Sequence, residues 1–287
     1  MNFLLKQNQF VNFMTPCSIS SEDWLRMLKE PPVFTDKTKA PLAIYGTMVS
    51  SPEPVKWRGM NRPHCTGANV ESIYALQLDY DNGFSIREFC ETYWKFRFTL
   101  YTSYSYGYKK DGDRFRVIMP LATPMPCYLL NNKRVRSNLM WHFPNVDESC
   151  TVRGHWQILP CVRAKGAPYL FTQNKVGLMW GGDDYWNDYA RWVKEDEAEF
   201  ARRREEAKAN PKEVNVEELL QKMQEELDAI PVGQGQRHSA AKRILTKYAH
   251  LGIADMLCTV PCPWADKKWQ REWSSLISWV EENVKII

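Results

Sequence analysis

The hydrophobic positions between residues 72 and 121 change spacing several times, and each spacing predicts one element. Residues 72–80 (SIYALQLDY) form an apolar run, and residues 98–106 and 114–121 are rich in β-branched and aromatic side chains. These patterns are typical of strands, whereas residues 86–94 have helical spacing. The stretch YKKDGD has Asp-Gly at its centre, which favours a turn joining the last two strands into a hairpin.

The following segments complete a domain of mixed composition. A helix is predicted around residues 128–140, followed by two short strands in HWQILP and PYLFTQ. The order strand, helix, hairpin, helix, strand is typical of an α+β domain. We therefore predict an α+β fold with a mixed or antiparallel sheet for the first part of the chain.

The character of the sequence changes after Tyr189. Residues 190–210 are a dense, balanced run of charged helix formers, which predicts a solvated helix that ends at Pro211. Beyond it, apolar side chains recur at helical spacing in three segments, for example Val216, Leu219, Leu220, Met223 and Leu227 in the first and Trp269, Trp273, Leu276 and Val280 in the last. We predict a first domain over residues 1–189, a charged helical linker over 190–212 and a small all-helical domain over 213–287.

Composition narrows the classes of function. The 287 residues carry a net charge of only +4, so any attraction for nucleic acid must come from local basic clusters. No apolar run approaches the length of a membrane span, and the first residues lack a signal-peptide pattern. Eight scattered cysteines suit a reducing compartment, and neither Cys150–His155–Cys161 nor Cys258–Cys262 offers the four ligands of a structural zinc. These features predict a cytoplasmic protein that does not contact a membrane.

Carboxylates at the end of the first predicted strand suggest metal chemistry. Asp79 and Asp81 lie two residues apart and therefore share one face of the strand, where their charges repel unless a cation lies between them. Asp147, after Val146 and the second helix, is a third candidate. Three converging carboxylates could hold two Mg²⁺ or Mn²⁺ ions and support attack of a 3′-hydroxyl on the α-phosphate of a nucleotide. The alternative is that Asp-Asn-Gly forms an ordinary turn and that Asp79 only caps the strand.

The predicted hairpin adds groups that bind phosphate. Ser103 and Ser105 are expected on one face of the second strand, and Arg114 and Arg116 on one face of the third. Arginine pairs with phosphate through two parallel hydrogen bonds, so these two could bind a triphosphate. They could equally be surface arginines that pair with neighbouring acids.

Local basic clusters flank the acids in the sequence. Lys133, Arg134 and Arg136 lie on or near the second helix, and Arg163 and Lys165 follow the Asp147 segment. We expect them to hold the phosphates of a single-stranded DNA template, with a solvated basic surface as the alternative.

Three stretches together resemble successive motifs of the archaeo-eukaryotic-type primases. They are LQLDYDN, FTLYTSYSYGYKKDGDRFRVIMPL and NVDESC followed by WQILP, and the likeness spans roughly residues 72–171. The nearest resemblance is to the primase-polymerases of phages and plasmids. It implies an RRM-like catalytic core that makes or extends primers in phage or plasmid DNA replication. It also implies Asp79, Asp81 and Asp147 as metal ligands and Ser105 and Arg116 as nucleotide contacts.

The second motif departs from the family pattern at one position. Tyr106 stands where the family usually has a histidine, and a neutral tyrosine cannot offer a positive charge to a triphosphate. Lys109, Lys110 and Arg114 are candidates to replace that charge, and Lys109 and Lys110 are also expected to bind nucleic acid. An inactive primase-like domain that binds DNA as a replication initiator or accessory protein is therefore the alternative function.

Partners follow from the same resemblance. The expected substrates are nucleoside triphosphates, and the expected template is single-stranded DNA. The stretch GQGQRHSAAKRILTKYAHLGI is similar to the helical domain that often follows such a core. No Gly-x-x-x-x-Gly-Lys-Ser/Thr loop occurs, so we expect a separate replicative helicase.

Overall fold

The structure is a computed structural model. It describes residues 2–81, 84–108, 112–209, 215–230, 237–249, 251, 254–263 and 267–283. The chain divides into two compact units, Met1–Asp196 and Glu197–Ile287.

The first unit contains the strands and most of the functional candidates. Its strands are β1 (Asn2–Lys6), β2 (Thr15–Ser18), β3 (Leu42–Ile44), β4 (Gly46–Met48), β5 (Pro54–Trp57), β6 (Met60–Pro63), β7 (Val70–Tyr80), β8 (Phe98–Thr102), β9 (Phe115–Pro126), β10 (Gln157–Ile158) and β11 (Phe171–Asn174). Its helices are α1 (Ser21–Lys29), α2 (Ile86–Thr92), α3 (Lys133–His142) and the first half of α4 (Asp183–Ala209).

The strands form a five-stranded sheet in the order β11-β8-β9-β7-β4, a four-stranded sheet in the order β10-β3-β1-β2, and the hairpin β5-β6. Neighbouring strands in all three are antiparallel.

Both faces of the five-stranded sheet are covered, which explains the nearly continuous apolar run in β7. On one face, Leu78 and Tyr80 pack with Phe89 of α2 and Leu139 of α3. On the other face, Ala75 packs with side chains of α1 and of the four-stranded sheet, among them Trp24 and Phe3. The Gln77 amide on this second face donates to the carbonyl of Ala43 in β3 at 2.8 Å. The same face reaches Asp79 two residues later.

Helix α2 begins where the sequence provides a complete N-terminal cap. Ser85 accepts from the backbone N–H of Glu88, and the Glu88 side chain accepts from the backbone N–H of Ser85. This reciprocal arrangement satisfies two N–H groups that the helix itself cannot pair. The amide of Ile86 donates in addition to Asp113 at 2.8 Å, which ties the start of α2 to the residues before β9.

The second unit has its own apolar cluster. Its helices are the end of α4, α5 (Val216–Asp228), α6 (Arg237–Tyr248) and α7 (Lys267–Asn283), with a 3₁₀ turn at Ala254–Thr259. Met223, Leu245 and Val280 are fully buried within it. Parts of this unit lie outside the described residues, so an independent all-helical domain, like the predicted boundaries, stays a prediction.

The predicted α+β class is confirmed, with antiparallel sheets in the first unit. Several predicted bounds are wrong. The second strand ends at Thr102 rather than at residue 106, and the third begins at Phe115 rather than at Arg114. The predicted helix over 128–140 is a 3₁₀ turn, Cys127–Asn131, followed by α3. The charged helix starts at Asp183, seven residues before its predicted beginning at 190, because Trp186 and Tyr189 are buried in the core of the first unit.

Within the described residues, no helix has the length and apolar character required to cross a bilayer.

Candidate active site

The two strands at the centre of the sheet bring an acid and an arginine face to face. Asp79 in β7 lies opposite Arg116 in the antiparallel register with β9. The Arg116 Nε donates to Asp79 Oδ2 at 3.2 Å, and the arginine side chain is only 5% exposed. Burial acts to lower the pKa of Arg116, but Asp79, Tyr101 and Cys161 together outweigh burial, and the pKa is raised. The guanidinium is therefore held charged inside the protein.

A second pair follows directly beyond the strand ends. Arg114 Nη2 lies 2.6 Å from Asp81 Oδ2, and the Arg114 side chain is 9% exposed against 38% for Asp81. Asp79 shares a face of β7 with Gln77, and the Asp81–Arg114 pair lies next to it, just beyond the ends of β7 and β9. The arrangement runs from the buried Asp79–Arg116 pair outward to the more open Asp81–Arg114 pair.

The segment that contains Asp147 forms backbone hydrogen bonds with Asp79. It can do so because β7 has no strand partner on its outer edge at Asp79. Strand β4 pairs with β7 only as far as Ile73. Further along, the amide of Asp147 donates to the carbonyl of Asp79 at 2.9 Å. The amide of Asp79 donates to Cys150 Sγ at 3.0 Å. Both the carbonyl and the amide of Asp79 are thus hydrogen-bonded to the turn that contains Asp147.

Buried neutral groups lie behind this turn. His155 Nε2 lies 3.7 Å from Cys150 Sγ. Burial lowers the pKa of His155 against the opposing effect of Asp79, and burial raises the pKa of the Cys150 thiol. Both groups are consequently uncharged near neutral pH, and they support the position of Asp79 without adding charge. The sequence could not indicate this role, since neither residue belongs to a recognisable ligand pattern.

Carboxylate oxygens are the donors that a hard divalent cation prefers. Asp79 Oδ1 is buried and has no hydrogen-bond partner among the described residues, so it is available to a ligand. Asp79 Oδ2 and Asp81 Oδ2 are held by arginines, while Asp147 is exposed and its Oδ1 accepts from the amide of Ser149 at 2.8 Å. Within the described part of the chain, no three His, Cys, Asp or Glu side chains are grouped so as to hold a metal ion. Metal ligation by Asp79, Asp81 and Asp147 accordingly stays a prediction.

The serines of the predicted second strand lie elsewhere than expected. Because β8 ends at Thr102, Ser103 and Ser105 lie in the turn that follows it and do not share a strand face. Ser103 is buried, its amide donates to the carbonyl of Arg114 at 2.8 Å, and its hydroxyl has no partner among the described residues. Tyr106 is partly buried in the same turn, and its amide donates to Ser103. Ser103 is therefore adjacent to the outer pair, whereas contacts from Ser105 and Tyr106 to a nucleotide stay predictions.

The predicted template-binding residues fall into two groups. Lys133, Arg134 and Arg136 belong to α3, which packs on the face of the sheet opposite to Asp79 and Arg116. Arg134 is engaged there by Glu195 at 3.0 Å and by the ring of Trp192. Arg163 and Lys165 are exposed, and the Arg163 guanidinium lies 4.1 Å from the centroid of the Tyr108 ring. Lys109 and Lys110 lie outside the described residues.

One cation of the site was not foreseen from the sequence. Lys37, in a 3₁₀ turn before β3, interacts electrostatically with Arg116, Asp79, Asp81 and Arg114. Its burial among protein atoms, followed by the charge of Arg116, lowers the pKa of Lys37. The surrounding sequence, TDKTKA, carries no motif, so only the tertiary structure identifies this residue.

Comparisons with known proteins give little further guidance. No protein-family model matches the sequence. No curated protein matches it either. Among solved structures, the chain is similar to the AEP domain of the cyanophage S-2L primase-polymerase, with a TM-score of 0.33 and 10% sequence identity over 63% of this chain and 83% of that one. Similarity at this level does not establish a shared activity.

Proposed function

We propose that the first unit is a metal-dependent nucleotidyltransferase of the primase-polymerase kind, which makes or extends primers on a single-stranded DNA template. One observation carries the proposal. Two acid–arginine pairs lie together at one end of a sheet face, with the backbone of a third acid hydrogen-bonded to that of the innermost acid. Joining nucleotides requires carboxylates for metal ions and arginines for phosphates at one place.

The charges of the site suggest how both kinds of ligand are accommodated. Each arginine neutralises one carboxylate, so the two pairs together carry no net charge. A divalent ion at the acids would replace the arginines as their counter-ions. The freed guanidinium groups would then bind the phosphates, which arginine contacts through two parallel hydrogen bonds. Metal and nucleotide thus favour each other's binding, because either one alone leaves charges unpaired.

The proposed ligands of Mg²⁺ or Mn²⁺ are Asp79, Asp81 and Asp147. When bound, such an ion lowers the pKa of the attacking 3′-hydroxyl and neutralises charge on the departing pyrophosphate. Arg114 and Arg116 orient the triphosphate, and Ser103, beside Arg114, has a hydroxyl free to donate to it. Arg163 and Lys165 are proposed to contact the template strand.

A second candidate function is a primase-like DNA-binding protein without catalysis. It is favoured by Tyr106 in place of the family histidine and by carboxylates that are already paired with arginines. In such a protein the acid–arginine pairs would serve only to stabilise the sheet.

Incorporation of labelled nucleotides on single-stranded DNA, with Mg²⁺ or Mn²⁺ and with either ribo- or deoxyribonucleotides, separates the two functions. The enzyme hypothesis predicts metal-dependent incorporation that falls at least about 100-fold in Asp79→Asn and in Asp81→Asn, since loss of a metal ligand removes several kcal/mol of transition-state stabilisation. Glu91→Gln is the matched control and should retain activity, because Glu91 lies on α2 with its side chain 63% exposed.

Two results would contradict this proposal. Incorporation that survives both aspartate substitutions would show that these residues are not the metal ligands. A wild-type chain that binds DNA but incorporates nothing under any of these conditions would favour the second function.

A further inference from the structure

Lys37 belongs to a turn that is held in place from both sides. Asp36 caps the turn by accepting from the amide of Thr38 at 2.9 Å. Before the turn, the amide of Phe34 donates to the carbonyl of Val162 at 2.8 Å. After it, Ala40 is fully buried and the amide of Leu159 donates to the carbonyl of Pro41 at 3.0 Å. Both ends of the segment are therefore anchored to the stretch that follows β10.

That stretch in turn lies over the buried acid–arginine pair. The Tyr101 hydroxyl donates to the carbonyl of Ile158 in β10 at 2.8 Å, and Tyr101 lies opposite Arg116 in the β8–β9 register. The anchoring thus places the Lys37 turn on the layer that covers the sheet face of Asp79 and Arg116. The electrostatic interactions of Lys37 with all four members of the two pairs agree with this position.

The charge balance at this end of the sheet indicates what Lys37 binds. Asp79 and Asp81 are each neutralised by an arginine, and no ion pair of Lys37 is found among the described residues. Lys37 therefore brings a further positive charge to this end of the sheet, on a side chain that is exposed to solvent. An exposed ammonium group beside two ion pairs that are already neutral is available to an anionic ligand such as a phosphate.

We infer that Lys37 binds a phosphate group of the incoming nucleoside triphosphate, so that the N-terminal layer completes the nucleotide site together with Arg114 and Arg116. This inference rests on the proposed function and names a contact outside the residues that resemble the primase motifs. The compact ammonium group suits a single phosphate oxygen, in contrast to the paired hydrogen bonds of an arginine.

Equilibrium binding of fluorescently labelled ATP and dATP to the full chain, measured by anisotropy with Mg²⁺ and without template, tests the inference. Lys37→Gln is expected to weaken binding about 10-fold, as for loss of one charge-assisted hydrogen bond, whereas Lys37→Arg should retain most of the affinity. Lys39→Gln removes the same charge two residues along the same turn and should change affinity by less than about twofold, because exposed charges at longer range are screened. Circular dichroism of each variant establishes that it is folded.

Competition with inorganic tripolyphosphate shows whether the contact is to phosphate. If Lys37 binds phosphate, Lys37→Gln should weaken tripolyphosphate binding by the same factor as nucleotide binding. Equal effects of Lys37→Gln and Lys39→Gln, or an unchanged affinity for tripolyphosphate, would overturn the inference while leaving the proposed function intact. A wild-type chain that binds neither nucleotide would overturn both.

Discussion

At the scale of single residues, the most informative feature is that the candidate acids are paired with cations. Asp79 and Asp81 were predicted to repel each other unless a cation lay between them. Each is neutralised by its own arginine, Asp79 by Arg116 in β9 and Asp81 by Arg114 just before β9. The sequence predicted Arg114 and Arg116 on one face of the third strand, but only Arg116 belongs to β9, and the ion pair with Asp81 holds Arg114 beyond the strand end. Lys37 could not be predicted in this way, because it comes from a distant segment whose position depends on backbone hydrogen bonds.

The buried pair leads to a prediction about stability. Arg116→Met should lower the free energy of unfolding by roughly 3 kcal/mol, because it leaves the carboxylate of Asp79 unpaired in a partly buried position. Arg114→Met should cost about 1 kcal/mol, since its partner Asp81 is 38% exposed and can be solvated. Urea denaturation followed by circular dichroism measures both values.

A double substitution provides the control. Arg116→Met combined with Asp79→Asn removes both charges and should recover part of the lost stability. If the double variant is less stable than Arg116→Met alone, the isolated carboxylate is not the cause of the destabilisation.

At the scale of elements, the position of the site depends on how far β4 extends along β7. Because β4 pairs with β7 only near Gly46–Met48, the remaining edge of β7 is free to receive the Asp147 turn. The sequence predicted β7 and the β8–β9 hairpin from hydrophobic period and turn chemistry. The short strands β1, β3 and β10 were missed or left without partners, because their pairing joins segments that are far apart in the chain.

Strands β4 and β7 lie so close together at Gly46 that adding a single methyl group tests their contact. A Cβ added to Gly46 would lie 2.3 Å from the carbonyl oxygen of Ser72, a backbone atom that cannot move without disturbing the pairing. Gly46→Ala should therefore lower the free energy of unfolding by about 3 kcal/mol, at the upper end of ordinary overpacking. Thermal and urea denaturation measure this loss.

Gly182→Ala is the matched substitution. Its added Cβ would meet only the Ala122 Cβ at 3.8 Å, an ordinary contact, so its effect should stay below about 1 kcal/mol. If the Gly46→Ala variant were as stable as the Gly182→Ala variant, β4 could not lie as close to β7 as described.

At the scale of the whole molecule, each unit has an apolar cluster made from its own residues. Among the described residues, the last member of the first unit's cluster is the packed side chain of Val193, after Trp186 and Tyr189, and the second unit's cluster begins at Val216. Between them, α4 carries exposed charged pairs such as Arg203–Glu199 at 2.6 Å, which favour a helix without requiring a partner surface.

These separate clusters predict that the first unit folds alone. A chain of residues 1–209 should unfold cooperatively and should bind nucleotide with an affinity within about threefold of the full chain, because every proposed nucleotide contact precedes residue 197. Circular dichroism melts and anisotropy measure the two properties.

A shorter chain supplies the contrast. Residues 1–182 lack Trp186 and Tyr189, which are buried in the first cluster, and this chain should be largely unfolded at 25 °C because two large aromatic side chains are removed from the core. Cooperative folding of residues 1–182, or failure of residues 1–209 to fold, would contradict the assignment of α4 to the first core.

Sequence patterns were sufficient to predict the central strands and the α+β class, since these follow from local periodicity. They also singled out Asp79, Asp81 and Asp147 as the acids to consider. Only the folded chain reveals that β8 ends before Ser103, that the Asp147 turn fills the open edge of β7, and that the Lys37 turn is anchored to the residues after β10. These features depend on hydrogen bonds and packing between residues that are distant in sequence, which no local pattern of side chains specifies.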